Sequence, residues 1–273
     1  MSDPSPFKSW VSNQYLGEPS LLFQEGSSGE PAARQRAVYH LGLLLKALRG
    51  HRALQRALDK QIVLPEQIEG KTTQTGMESE AGEASSSGDS PLLIRAMTSA
   101  GGQVLATGLG KYLREREGEV QVIEPHSALQ TVMAAPLQDA GLSVNFRTSL
   151  LNEADEPVPA TFAVGVALSY RYYHDDLIRT IRRLAAHSEA GFLIIDLVRS
   201  PLLFPMLRVW SLFCRDRLLQ SEASTLAGNL LSREEWAYVA SELNFPGLQL
   251  VRLNPWWVGL FWQPDQPAPA QTA

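Results

Sequence analysis

Cys214 is the only cysteine, which excludes an internal disulfide and a cysteine-built metal cluster. It lies in an apolar run and reads as a packing residue. The histidines His40, His51, His126, His174 and His187 are scattered, and no pair has metal-ligand spacing, so no metal site is expected. Long apolar runs are missing as well. The most apolar stretch, residues 197–213, is cut by Pro201, Pro205 and Arg208, too short and broken to span a bilayer. Residues 1–6 are polar and lack a charged-then-apolar signal pattern. Positive charge is not in excess either: 24 Lys and Arg against 29 Asp and Glu give a net charge of −5. That balance gives no broad attraction to nucleic acid or anionic lipid. A soluble, cytoplasmic protein with no transmembrane segment and no nucleic-acid partner is expected.

What is present is a globular composition, 44% hydrophobic and 19% charged over 273 residues, suited to one α/β domain with an appendage. Composition changes near Gly70. Residues 70–90 are rich in Gly, Ser and Glu and nearly free of apolar side chains, so they cannot offset their ordering entropy and are expected to be a flexible linker. Before them, residues 1–69 form a helical extension. Leu41, Leu44, Leu45 and Leu48 share one helical face, continued by Leu54 and Leu58 after a break at Gly50. The other face carries Arg34, Arg36, Lys46, Arg49, Arg52, Arg56 and Lys60 against Asp59, seven positive minus one negative. Such a face is either solvated or docks an acidic protein partner, a phosphate-bearing ligand or a membrane surface. Phe7, Trp10, Tyr15, Leu21, Leu22 and Phe23 are expected to anchor the N-terminal segment on the main domain.

Beyond the linker, residues 91–263 alternate strand and helix. Residues 92–100 read as a short helix, 103–106 as a buried strand, and 111–117 as a charged helix after a glycine turn. Strands follow at 120–123, 142–147, 161–168 and 192–198, with helices at 128–140 and 175–186. This rhythm predicts a parallel sheet covered by helices. Residues 202–213 read as an apolar helical pair interrupted by Pro205. Ser232 followed by Glu234 and Glu235 predicts a capped helix to Leu243. Two apolar strands, 248–253 and 257–262, then form a terminal antiparallel hairpin. The tail, 264–273, is disordered by composition.

Chemistry concentrates at two places. The run Val104-Leu105-Ala106-Thr107-Gly108-Leu109-Gly110 reads as a strand entering a glycine turn, where a ligand approaches the backbone closely. The next strand ends in Glu124, whose carboxylate can accept hydrogen bonds from two ribose hydroxyls. The second place is Ser169-Tyr170-Arg171-Tyr172-Tyr173-His174-Asp175, where a histidine stands beside carboxylates.

Taken in order, residues 103–127, 162–175, 191–198 and the closing helix and hairpin resemble the class I S-adenosylmethionine-dependent methyltransferases over about two thirds of the chain. The resemblance implies a Rossmann-like α/β fold with a seven-stranded sheet ending in an antiparallel hairpin. It implies S-adenosylmethionine as cofactor, held by Thr107, Gly108, Leu109, Gly110, Glu124, Pro125, Ser149, Leu150, Leu168 and Ser169. It places His174, Tyr170 and Tyr172 as catalytic or pocket-lining residues, and residues 202–213 over an apolar or aromatic substrate. The sequence departs from the pattern at Ala106, Ser149 and Ala163, where the family usually carries acids, and at Tyr112, where a third glycine stands. Each lost charge-assisted contact costs about one to two decades in affinity.

Three readings follow. The leading one is a methyltransferase acting on an apolar small molecule by positioning a nucleophile in line with the sulfonium methyl. The alternative is a catalytically inactive relative serving as a partner or regulatory subunit, favoured by the missing acids and the basic N-terminal helix. The third, a nicotinamide-dependent oxidoreductase, has GxGxxG-like spacing with Leu113 at the last glycine, and the terminal hairpin argues against it.

Overall fold

A computed structural model describes residues 31–61, 92–99, 102–148, 160–172 and 174–264. The expected linker 70–90, the aromatic anchors of 1–30 and residues 265–273 of the tail lie outside the described residues. In chain order the elements are α1 (Pro31–Ala47), α2 (Gly50–Gln61), β1 (Leu93–Thr98), α3 (Gln103–Arg114), β2 (Glu119–Ile123), α4 (Ser127–Asp139), β3 (Val144–Arg147) and β4 (Phe162–Val166). A single 3-10 turn, Leu168–Tyr170, leads to α5 (His174–Ala186) and β5 (Phe192–Leu197). Then come α6 (Leu203–Phe213), α7 (Arg217–Asn229), α8 (Arg233–Leu243), β6 (Gln249–Arg252) and β7 (Trp257–Trp262).

One seven-stranded sheet runs in the order β3-β2-β1-β4-β5-β7-β6. β1 to β5 pair in parallel, and β7 pairs antiparallel with both β5 and β6. β4 and β5 are buried at every position, as continuous apolar runs in the middle of a parallel sheet should be. One face is covered by a large core into which α1 to α4 and α6 and α7 send side chains, and the other by a core built with α5 and α8. The leucine stripe of the N-terminal helices belongs to the first core: Leu41, Leu45, Leu54 and Leu58 are buried there. Trp210 donates from Nε1 to the His40 carbonyl at 2.9 Å, and His40 Nδ1 lies 3.0 Å from Asp216 Oδ2, which ties α1 to α6 and α7.

The predicted parallel sheet and closing hairpin are present, but the first strand is not where the sequence reading put it. Residues 93–98 form β1 rather than a helix, and residues 103–114 form one continuous helix rather than strand, glycine turn and helix. A short apolar run carries no decisive periodicity, and pairing decides. Ile94 is flanked by Val120 and Phe162, one on each neighbouring strand. Val104, Leu105, Leu109 and Leu113, all buried, follow a helical spacing. The apolar pair expected around Pro205 is also one helix, α6, with Pro205 in its first turn, where a missing N–H costs nothing. α8 begins with the predicted cap: Ser232 accepts from the Glu235 N–H at 3.2 Å, and Glu235 accepts from the Ser232 N–H at 2.6 Å. Among the described residues no helix is long and apolar enough to cross a membrane, and no cluster of His, Cys, Asp or Glu is set to hold a metal.

Candidate functional site

In an open α/β sheet, ligands bind beyond the carboxyl ends of the parallel strands, near the point where strand order reverses. Here β1 neighbours both β2 and β4, so the loops after these three strands converge. Glu124 follows β2 directly, its N–H donating to the Arg147 carbonyl at 2.8 Å. After β4, Ala167 adopts a left-handed conformation (φ 55°) and turns the chain back over the sheet end. That turn delivers Ser169 to β5 and Arg171 to β2. A parallel sheet with its single reversed strand, β7, inserted between β5 and β6, and an acid closing β2, is the arrangement the class I resemblance implied. The chain has the class I methyltransferase fold.

The sequence matches no protein-family model and no curated protein. Among solved structures it is similar to a putative O-methyltransferase from Nostoc punctiforme PCC 73102, at 9% identity and TM-score 0.44, covering 64% of this chain and 53% of that one. It is similar to an O-methyltransferase family protein from Burkholderia thailandensis, at 15% identity and TM-score 0.45, covering 65% and 52%. A third similar structure is the plantazolicin methyltransferase BpumL in complex with SAH, at 8% identity and TM-score 0.48, covering 95% and 91%. The matched region thus spans about half the length of the first two.

The residues of a methyltransferase-fold site can be placed one by one. Glu124 is fully buried, and its carboxylate is already engaged. Arg171 donates from one guanidinium nitrogen to Oε2 at 2.8 Å and from the other to Oε1 at 3.0 Å, a two-pronged pair with the arginine side chain 6% exposed. The His126 N–H adds a third bond to Oε1 at 2.9 Å, across exposed Pro125. Gln130 donates to the Glu124 carbonyl at 2.8 Å. Arg171 also lies 5.8 Å from the centre of the Tyr172 ring.

Ser169 does not face an open pocket. Its N–H and hydroxyl donate to the two oxygens of Asp196, at 2.8 and 2.9 Å, and the Leu197 N–H adds a bond at 2.7 Å. Burial pushes the Asp196 carboxyl up to about 7, the bonds from Ser169 and Leu197 opposing the shift. Tyr170 and Leu168 are core residues. Burial, then the Asp196 charge, raises the Tyr170 phenol far above its ordinary range, so it stays protonated and is no base. Tyr172 is half-buried, its hydroxyl 3.6 Å from Met97 Sδ, and burial raises it too. His174 begins α5, but its side chain lies outside the described residues, as do Ser149 and Leu150.

Thr107, Gly108, Leu109 and Gly110 form no turn: they lie inside α3. A Cβ on Gly108 would stand 2.6 Å from Leu54 Cδ2, so this glycine lets α2 approach α3. Ala106 is likewise helical and does not occupy a strand end. The segment that does follow the first strand is residues 99–102, of which Ala100 and Gly101 lie outside the described residues. Its signal in the sequence is the pair Gly101-Gly102 directly after an apolar run, upstream of the Gly108 and Gly110 pattern. Among the described residues Ser99 Oγ and both polar atoms of the Gln103 side chain are buried without partners beside this segment. The strand before it carries no acid. Arg95 is buried there, donating to Gln121 Oε1 at 2.9 Å and to the His187 carbonyl at 3.1 Å.

Set against an adenosyl ligand, this arrangement does not fit. Both oxygens of Glu124, the acid expected to read the ribose, are taken by a guanidinium. The first strand, Leu93–Thr98, offers no acid to meet the ligand's ammonium. The fourth offers Ala163, buried in the core.

Proposed function

We propose that this protein is a catalytically inactive member of the methyltransferase fold that acts as a partner or regulatory subunit, with S-adenosylmethionine binding lost. The observation that carries this reading is the buried two-pronged pair of Glu124 and Arg171. A ribose would have to displace a guanidinium from a low-dielectric site and leave one of two charges unpaired, which costs several kcal/mol. The absence of an acid on β1 removes the second anchor of the ligand. Titration calorimetry of the full chain with S-adenosylmethionine and S-adenosylhomocysteine tests this. No heat of binding is expected up to about 1 mM ligand, the affinity floor of roughly 4 kcal/mol. Micromolar binding would overturn the reading.

A second reading, a methyltransferase acting on an apolar small molecule, is favoured by one feature. Leu44, Pro205, Met206, Val209, Trp210 and Phe213 line an open apolar groove of about 600 Å³. Phe213 is 80% exposed at its edge, and contiguous apolar surface of this kind marks a binding face. On that reading Arg171 swings away from Glu124 when the cofactor enters, and the same titration shows binding.

A further inference from the structure

The arginine-rich face of the N-terminal helices has a use that neither reading absorbs. At the corner between α1 and α2 it meets the turn between β6 and β7. Between them is a cleft of about 270 Å³ lined by Ala47, Leu48, Arg49, Arg52, Arg56, Asn254, Pro255 and Trp256. Three of these residues are cationic and none is acidic. Arg49, Arg52 and Arg56 are exposed and form no ion pair among the described residues. In a chain of net charge −5 this is a local inversion of sign.

The two walls are fixed to one another. Trp257 is fully buried and donates from Nε1 to the Leu48 carbonyl at 3.0 Å. Gly50 makes room for it, since a Cβ there would stand 2.6 Å from the indole. On the other wall Asn254 Oδ1 accepts the backbone N–H groups of Trp256 and Trp257 at 2.8 and 3.0 Å, which fixes the main chain that carries the half-buried Trp256. Arg49 sits in the left-handed region at φ 63°, where glycine is the easier residue, and so keeps a cation at the helix junction. α2 begins here with no acid in its first turn, so the positive end of its dipole adds to the guanidinium charges. The neighbouring His51 ring feels that field: burial, then Arg52 and Lys46, hold it below its ordinary value.

We infer that this cleft binds a phosphate ester, with Arg49, Arg52 and Arg56 on the phosphate oxygens and Trp256 against the group that the phosphate carries. Planar guanidinium groups match phosphate geometry, and Arg52 and Arg56 one turn apart on α2, with Arg49 at the junction before it, suit a dianion better than a carboxylate. The volume lies just below the usual range for drug-sized pockets, so it holds a phosphate or diphosphate with the rest of the ligand outside. Aromatic esters gain from the indole face.

The test is calorimetry of the full chain with inorganic pyrophosphate, methyl phosphate and phenyl phosphate, with sulfate at equal ionic strength as control. Pyrophosphate is expected to bind more tightly than sulfate and to weaken with salt. Arg52→Gln and Arg56→Gln should each weaken it about tenfold, while Arg179→Gln on α5 should not. Phenyl phosphate should bind more tightly than methyl phosphate, and Trp256→Ala should erase that difference. These arginines are exposed, so unchanged melting curves will show that the variants fold. A second arm uses phosphatidylcholine vesicles with and without phosphatidic acid. Arg52-dependent binding to the phosphatidic acid vesicles supports the site with a lipid headgroup as the phosphate source, and binding to pyrophosphate alone supports a soluble ester. Binding to neither, or equal loss in Arg179→Gln, overturns the inference.

Discussion

Ser169 meets Asp196 twice, its N–H on one carboxylate oxygen and its hydroxyl on the other. The carboxyl is fully buried, and its raised value of about 7 makes folding depend on pH. The unfolded chain releases this proton near 3.8, whereas the folded chain keeps it until about 7. The folded state therefore binds more protons across that interval, and this group's contribution to stability falls as pH rises through it, by about 1.4 kcal/mol per unit. Above 7 the contribution is flat. Asp196→Asn should remove this part of the slope in urea-unfolding curves taken from pH 4 to 7. An unchanged slope would assign the titration to another group.

Arg171→Leu should cost about 3–5 kcal/mol, because it strands the Glu124 charge in a buried site. The double substitution Glu124→Leu with Arg171→Leu should recover much of that loss, since a hydrophobic pair replaces an ion pair at little cost. A double-mutant cycle in denaturant measures the coupling. Additive losses would mean that the pair does not hold the β2 and β4 loops together.

Gly108→Val tests what that glycine does. Contact with Leu54 predicts destabilisation of about 1–3 kcal/mol from overpacking between α2 and α3. A ligand-turn glycine would instead leave the melting temperature unchanged.

Glu235→Ala removes the partner of both the Ser232 N–H and Arg199, the latter at 2.7 Å. A loss of about 2 kcal/mol is expected, read from thermal unfolding. Glu234→Ala, on the exposed side of the same turn, should cost less than about 0.5 kcal/mol.

Some of this was written locally in the sequence and some was not. The acid closing Glu119–Ile123 and the Ser232–Glu235 cap are short-range patterns, and both stand where the sequence placed them. β1 and α3 are adjacent apolar runs separated by Gly101-Gly102, with a second glycine pattern, Gly108 and Gly110, farther on. Neighbouring strands and Leu54 decide between the two, and neither is visible in a window of ten residues. The Glu124–Arg171 pair joins residues 47 apart, through a left-handed turn at Ala167 that alanine does not advertise. The departures from the methyltransferase pattern were countable, but their meaning depended on that pairing. Sequence shows that acids are missing. It does not show that the remaining one is already satisfied.

β7 lies inside the sheet, between β5 and β6, although it is the last strand in sequence. It supplies Trp257 to the helices that begin near residue 31, so early and late segments complete one another. During synthesis, β5 must wait with an unpaired edge and the α1–α2 corner without its indole until residue 262 is available. Such long-range closure slows folding and leaves a sticky intermediate. A chain cut before Trp257 would thus lose more than a hairpin: it would present an open strand edge to every other nascent copy.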